Sequence, residues 1–382
     1  MPSLAEALRP LVDSHLVPGL VAAVGRGDQM DVVVLGDAAV DGRPIVEDAL
    51  FRIASITKPM VAALALTFVA DGTLGLDDPV GELLPELATP VVVRSITGPV
   101  DDTVPASRPI TLRHLLTSTN GHGFPSDFSA PVAQLLAERL QQGPPQPQRV
   151  PPPGEWMAIL GGIPLLHQPG EGFTYNAAFD ILGVLVARAG ATTLPALMAE
   201  RLFGPLGMTE TGFAFPVGTD ERRTSYYRHG DGGLAEQDGP DGQWATVPPF
   251  PSGAGGLIST VADVVTFQRM LLAAGGDVLP ADLVAAMMTD QLTPAIRSTD
   301  TVFLEGQSWG FGGGVDIAPL HPWNVTGRYG WVGGTGTSAY VVPSDGSVAV
   351  LLTQVELAGP TGSEVIEGFW TAAAEHLDRH HA

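Results

Sequence analysis

The two ends of this chain carry strand signals and the middle carries helix signals, and that distribution limits the fold more than any other feature. Near the N-terminus, VPGLVAAVGRGDQMDVVVLGDAA is two alternating valine-rich runs around a GRGDQ turn, which predicts a β-hairpin. Near the C-terminus, SWGFGGGVDI, RYGWVGGTGTSAYVVP and GSVAVLLTQVE read as strands separated by Gly, Pro and Asp turns. Between them, TLRHLLTSTNG, APVAQLLAERLQQG, AAFDILGVLVARAG and TLPALMAERLFGPLG read as helices closed by Gly or Asn-Gly. The intervening GPPQPQRVPPPGEW reads as an extended surface loop. The opening MPSLAEALRPLVDSHLVPG and the closing SEVIEGFWTAAAEHLDRHH each predict a helix. The expected fold class is α+β: one antiparallel sheet built from both termini and flanked by helices, with an inserted helical domain. The expected division is residues 1–72 and 216–382 for the sheet domain and 73–215 for the helical one. A cleft between the two is the natural ligand site.

At the junction of the first domain segment lies FRIASITKPM. It holds Lys58, the only lysine in the chain; the other eighteen of the 19 basic residues are arginine. Ser55 and Lys58 stand three apart at the start of a predicted apolar helix that ends at Asp71-Gly72. That spacing puts both side chains on one face. Serine needs a base to become a nucleophile. Arginine cannot supply it, because its guanidinium does not deprotonate in proteins. A lysine can, once burial and a nearby positive field lower its pKa. The helix N-terminus favours both that shift and an acyl-transfer oxyanion. Pro59 is tolerated in the first turn, whose amides have no helical partner.

The net charge of −22, from 41 Asp and Glu against 19 Lys and Arg, argues against nucleic acid and anionic membranes as partners. No cysteine is present, which removes thiolate nucleophiles, disulfides and thiolate metal sites. The chain carries no apparent signal peptide and no apolar run long enough to span a bilayer, so a soluble, cytoplasmic protein is expected. No cofactor is expected. His376 and His380, four apart near the C-terminus, have metal-binding spacing but no evident third ligand, so no metal is expected. A rival nucleophile exists: Gly306-Gln307-Ser308-Trp309-Gly310 matches the G-x-S-x-G elbow. That motif needs a helix after the serine, and FGGGVDIAPLHPW cannot form one, so Ser308 reads as a strand or turn residue.

These residues together resemble the serine β-lactamase and penicillin-binding-protein superfamily, in particular its class C β-lactamase-like branch and the carboxylesterases called family VIII. FRIASITK resembles the first motif, HQPGEGFTYNAAFDILG the segment of the second, and YGWVGGTGTSAYVVP that of the third. ITLRHLLTSTNG, LFGPLGMTETGF and SGAGGLISTVADVVTF resemble other landmarks in the expected order. The resemblance implies Ser55 as acylated nucleophile, Lys58 as its base and Tyr175 sharing the proton transfers. It implies an oxyanion hole from the Ser55 and Gly334 amides, and a substrate strand at Trp331, Val332 and Gly333.

Two departures stand out. Trp331 replaces a Lys or His that helps hold a β-lactam carboxylate; an aromatic wall there suits an apolar acyl or alcohol group. Asn176 stands one position early for the family's substrate-contacting asparagine and is expected to point elsewhere. His122 is expected on a loop near the cleft mouth, exposed or touching substrate. The implied activity is a carboxylesterase acting on small to medium esters. β-Lactamase or D-Ala-D-Ala peptidase, amidase, acyltransferase and a non-turnover sensor are the alternatives.

Overall fold

The computed structural model describes residues 2–40, 42–141, 146–359 and 362–379. Seven strands form the main sheet: β1 (Gly19–Arg26), β2 (Gln29–Gly36), β3 (Ser308–Trp309), β4 (Gly314–Val315), β5 (Tyr329–Gly333), β6 (Thr337–Val342) and β7 (Ser347–Leu352). Their order is β2-β1-β7-β6-β5-β4-β3, with every neighbouring pair antiparallel. The N-terminal hairpin therefore docks beside the last strand of the chain, with Ala23 opposite Val350. This is the two-ended sheet that the sequence pattern predicts, and the fold is mixed helix and antiparallel sheet.

Helix α1 (Leu4–Asp13) is closed at its start by a capping box: Ser3 Oγ accepts from the Glu6 amide and Glu6 accepts from the Ser3 amide. It packs with the C-terminal helix, whose residues Glu364–Arg379 also cover the sheet. Helix α2 (Thr57–Ala70) is buried on almost every side, which fits its mostly apolar sequence, and ends at Asp71 with Gly72 at φ +78°. Helix α3 (Ala177–Ala189) packs against α2 and helix α4 (Val261–Leu272) against the sheet. Thr260 caps α4 by accepting from the Asp263 amide. Among the described residues no single helix is long and apolar enough to cross a membrane.

Three elements differ from the sequence expectation. Val91–Val93 pairs with Thr103–Pro105 inside the region read as helical; runs of three residues are too short to show a period. Tyr226–Gly230 pairs with Gly233–Asp238 in a hairpin with no sequence expectation. Most of its side chains are exposed, so no apolar alternation marks it. The end of the proline-rich segment is a helix, Pro153–Leu160, with proline at its first position, where the missing N–H costs nothing. Residues 143–145 of that segment lie outside the described residues, as does His380.

Candidate active site

Ser55 sits in a tight 3-10 turn, Ala54–Ile56, that feeds directly into α2. The turn is clamped from several directions. Phe51–Arg52 pairs with Ile258–Ser259, and the Ile53 amide donates to the Leu257 carbonyl. The Ile53 carbonyl accepts from Thr337 Oγ1 on β6, and the Arg52 carbonyl accepts from Thr335 Oγ1. Ala54 is held at φ +44°, a left-handed conformation that costs about 1 kcal/mol and persists only where the surroundings enforce it.

Lys58 is fully buried, one turn behind the serine. Its Nζ lies 2.8 Å from Ser55 Oγ, 3.0 Å from Asn176 Oδ1 and 2.7 Å from the Ala254 carbonyl. The last two can only accept, so they take two N–H bonds. In a neutral amine those are its only N–H bonds, and the lone pair then faces Ser55 Oγ. Burial pushes the amine down to about 7, while the nearby Asp180 carboxylate pulls it up. A neutral amine so placed can accept a proton from Ser55 Oγ.

Tyr175 stands on the other side of Ser55. Its backbone is zipped to Phe124 in both directions, and the Thr174 amide donates to the Ser118 carbonyl. Gly123, at φ +144°, allows the close approach: a Cβ there would stand 2.4 Å from the Tyr175 carbonyl. The Tyr175 ring stacks on Phe303 at 4.2 Å, and Lys58 Nζ lies 4.5 Å from its centre. Burial pushes the phenol up to about 12, with hydrogen bonds to Ser55 and Trp331 acting in the opposite direction. At neutral pH the group is therefore a protonated phenol in contact with the serine.

The structure brings Ser55, Lys58 and Tyr175 together and places Gly334 at the same cavity. It relocates three other residues. Trp331 is 1 % exposed and does not line the cavity; its Nε1 donates to Tyr175 Oη at 2.6 Å. The expected aromatic wall is thus a buried hydrogen-bond donor behind the phenol. Asn176, at φ +83° ahead of α3, lines the cavity, and its side chain is not turned elsewhere but accepts from Lys58 Nζ. His122 is neither exposed nor at the cavity. It is 1 % exposed, with Nε2 against the Ile163 carbonyl, its own carbonyl accepting from Thr174 Oγ1, and its ring pushed down to about 4 by burial.

Along the third motif, Val332 lines the cavity. Gly333 packs under the nucleophile turn, where a Cβ would stand 2.4 Å from the Ile53 carbonyl. Gly334 has nothing within 4 Å of its Cβ position. Ser308 is buried on β3 with its hydroxyl on Asp290, away from this cavity. His376 pairs with Asp31 on β2.

The sequence reading passed over Asp180, Ser252 and Ala254. Asp180, on the first turn of α3, accepts from Ser252 Oγ at 2.6 Å and from the Ala254 amide at 3.1 Å. Gly253 permits this, since a Cβ there would stand 2.3 Å from the Phe179 carbonyl. One signal was available: Asp180 is the only acid in a helix whose other residues, Arg188 apart, are apolar or glycine.

The cavity above Ser55 measures about 470 Å³. Phe124, Phe128, Trp156, Trp244, Phe250 and Phe303 supply much of its wall. Among the described residues that line it there is no Lys, Arg or His, while Asp180 and Glu356 contribute carboxylates. Glu356 is paired with Arg228 and accepts from the Tyr226 hydroxyl at 2.8 Å.

A sheet built from both termini, helices around it and an SxxK serine at the head of the central helix define the β-lactamase/transpeptidase-like fold. The chain belongs to the Beta-lactamase family, whose model matches residues 4–364. It is 34 % identical to Protein Rv1367c of Mycobacterium tuberculosis over 364 residues, covering 91 % of this chain and 88 % of that one. It is 32 % identical to Esterase EstB of Burkholderia gladioli over 387 residues, covering 94 % and 93 %. Its fold matches the solved structure of EstCE1, described as a hydrolase with promiscuous acyltransferase activity, with a TM-score of 0.81 at 22 % identity over 97 % of each chain.

Proposed function

We propose that this protein is a serine hydrolase that acts as a carboxylesterase on small to medium esters through an acyl-serine intermediate. The observation that carries the reading is the Lys58 amine, buried, held by two fixed acceptors and 2.8 Å from Ser55 Oγ. Lys58 takes the Ser55 proton as Oγ attacks the ester carbonyl. The amides of Ser55 and Gly334 receive the oxyanion. The neutral Tyr175 phenol gives its proton to the departing alkoxide and recovers one from Lys58. Water then enters beside Tyr175 and attacks the acyl carbonyl while its proton passes through the phenol to Lys58; Lys58 returns that proton to Ser55 Oγ as the Oγ–carbonyl bond breaks and the acid leaves.

The cavity supports esters whose two parts are uncharged. Its walls carry many aromatic rings, and no cation among its described lining residues can pair with a carboxylate. The indole that replaces the family's carboxylate-holding cation is engaged with Tyr175. A β-lactam or a D-Ala terminus would bring its carboxylate to a site with two carboxylates of its own. The similarity to Esterase EstB across nearly the whole chain supports the same reading.

The test is hydrolysis of p-nitrophenyl butyrate by wild type and by Ser55→Ala. Turnover that vanishes in the variant is expected. Turnover that survives would move the nucleophile elsewhere, and absence of turnover in wild type would refute the ester reading. Adding an alcohol acceptor separates the alternative of acyl transfer, which would speed release of p-nitrophenol and yield a new ester.

A further inference from the structure

We propose that Asp180 is a positioning residue for the acyl-transfer base. Through Ser252 and the Ala254 amide, its carboxylate fixes residues 252–254 so that the Ala254 carbonyl captures one N–H of Lys58. This rests on the Ser55–Lys58 chemistry proposed above.

The chain of contacts is continuous. Ser252 Oγ donates to Asp180 Oδ1 at 2.6 Å, the Ala254 amide donates to the same oxygen at 3.1 Å, and the Ala254 carbonyl accepts from Lys58 Nζ at 2.7 Å. One carboxylate oxygen thus holds both ends of a three-residue turn. The turn is Ser252-Gly253-Ala254, which a chain with this much glycine would otherwise leave loose. The result is directional. With one N–H on Ala254 and one on Asn176, a neutral Lys58 can present only its lone pair to Ser55.

The carboxylate acts on the amine electrostatically as well. Burial alone drives the amine towards the neutral form, and Asp180 opposes it, with a balance at about 7. The groups facing the amine are Ser55 on the turn before α2, Asn176 and Tyr175 before α3, Asp180 on α3 and the Ala254 carbonyl. Residues 252–256 bring no titratable side chain. Of all these, Asp180 is the charged one. A base needs a pKa near the working pH to be both free and strong enough, and Asp180 keeps Lys58 in that range.

The experiment labels Ser55 with a fluorophosphonate and follows the rate by intact mass across pH. Ser55 Oγ forms the P–O bond, fluoride leaves with the P–F electron pair, and Lys58 takes the hydroxyl proton. The acid limb of this profile reports Lys58 whether or not the protein turns over esters. Asp180→Asn keeps the acceptor but removes the charge, and should move the limb down by about half a unit to one unit. Ser252→Ala loosens the turn but keeps the charge. It should slow labelling roughly three- to tenfold with the limb in place.

An acid limb of Asp180→Asn that stays put or moves up overturns the proposal. If that variant does not fold, Ser252→Ala carries the test, and a wild-type labelling rate there overturns it. Failure to label Ser55 in wild type would sink both this proposal and the chemistry it rests on. Normal labelling without ester turnover would sink only the ester assignment.

Discussion

Replacing Trp331 with Phe separates two roles for this residue that lead to opposite results. The indole is buried, 4.7 Å from the Trp309 ring and 5.8 Å from that of Tyr175, and its one polar atom is spent on Tyr175 Oη at 2.6 Å. Phe keeps most of the ring contact and removes that donor. A neutral hydrogen bond of this kind contributes about 1 kcal/mol, so kcat should fall roughly fivefold as the phenol loses its fixed orientation. The smaller ring also leaves a void, and stability should drop by roughly 1–3 kcal/mol. Because the indole does not line the cavity, the ranking of acyl chains should not change. The assay is kcat and KM on p-nitrophenyl acetate, butyrate and octanoate for wild type and Trp331→Phe, with urea denaturation alongside. A uniform fall in kcat with KM unchanged fits the geometry. A shift in chain-length preference would mean that Trp331 touches the acyl group, and the reasoning here would be wrong.

Buried Lys58 links stability to pH. Its amine titrates at about 7 when folded against an ordinary 10.5 when unfolded. Between those values the unfolded chain binds the extra proton, so stability rises with pH. Relative to Lys58→Met, wild type should gain about 2 kcal/mol between about pH 7 and about pH 9 in urea denaturation; no gain would mean an amine that is charged when folded. The adjacent glycines of the third motif should behave differently. Gly333→Ala forces a Cβ to 2.1 Å from Thr337 Oγ1 and should destabilise the fold by roughly 1–3 kcal/mol. Gly334→Ala keeps the backbone amide and puts a methyl group into open space, so it should leave stability within about 0.5 kcal/mol of wild type and lower kcat/KM only for the bulkier esters; an equal fall for acetate and octanoate esters would refute this.

Much of this architecture was legible in the sequence because period and turn chemistry are local. The GRGDQ hairpin and the Asp71-Gly72 helix end each rest on a few adjacent residues. The SxxK pair was legible for the same reason, since helix geometry alone brings positions 55 and 58 together. What stayed hidden depends on contacts distant in sequence. Trp331 and Tyr175 are 156 residues apart, and nothing local says that the indole turns behind the phenol. Asp180 looks like an ordinary acid at a helix start, and residues 252–256 look like a flexible lead-in; only the fold closes one onto the other. His122 shows why loop residues mislead: its polar, glycine-flanked sequence suggests exposure, yet it is packed between two other segments. The hairpin at residues 226–238 escaped because its exposed face carries no apolar period.

The solitary lysine offers a direct test of the central claim. Protein grown with lysine labelled at the ε-carbon and ζ-nitrogen gives a single side-chain signal, because Lys58 is the only lysine. Followed by NMR against pH, that signal should titrate with a midpoint near 7, the value expected of a buried amine poised to take the Ser55 proton. A midpoint close to the ordinary 10.5 would show a charged ammonium at neutral pH, and Lys58 could not be the base.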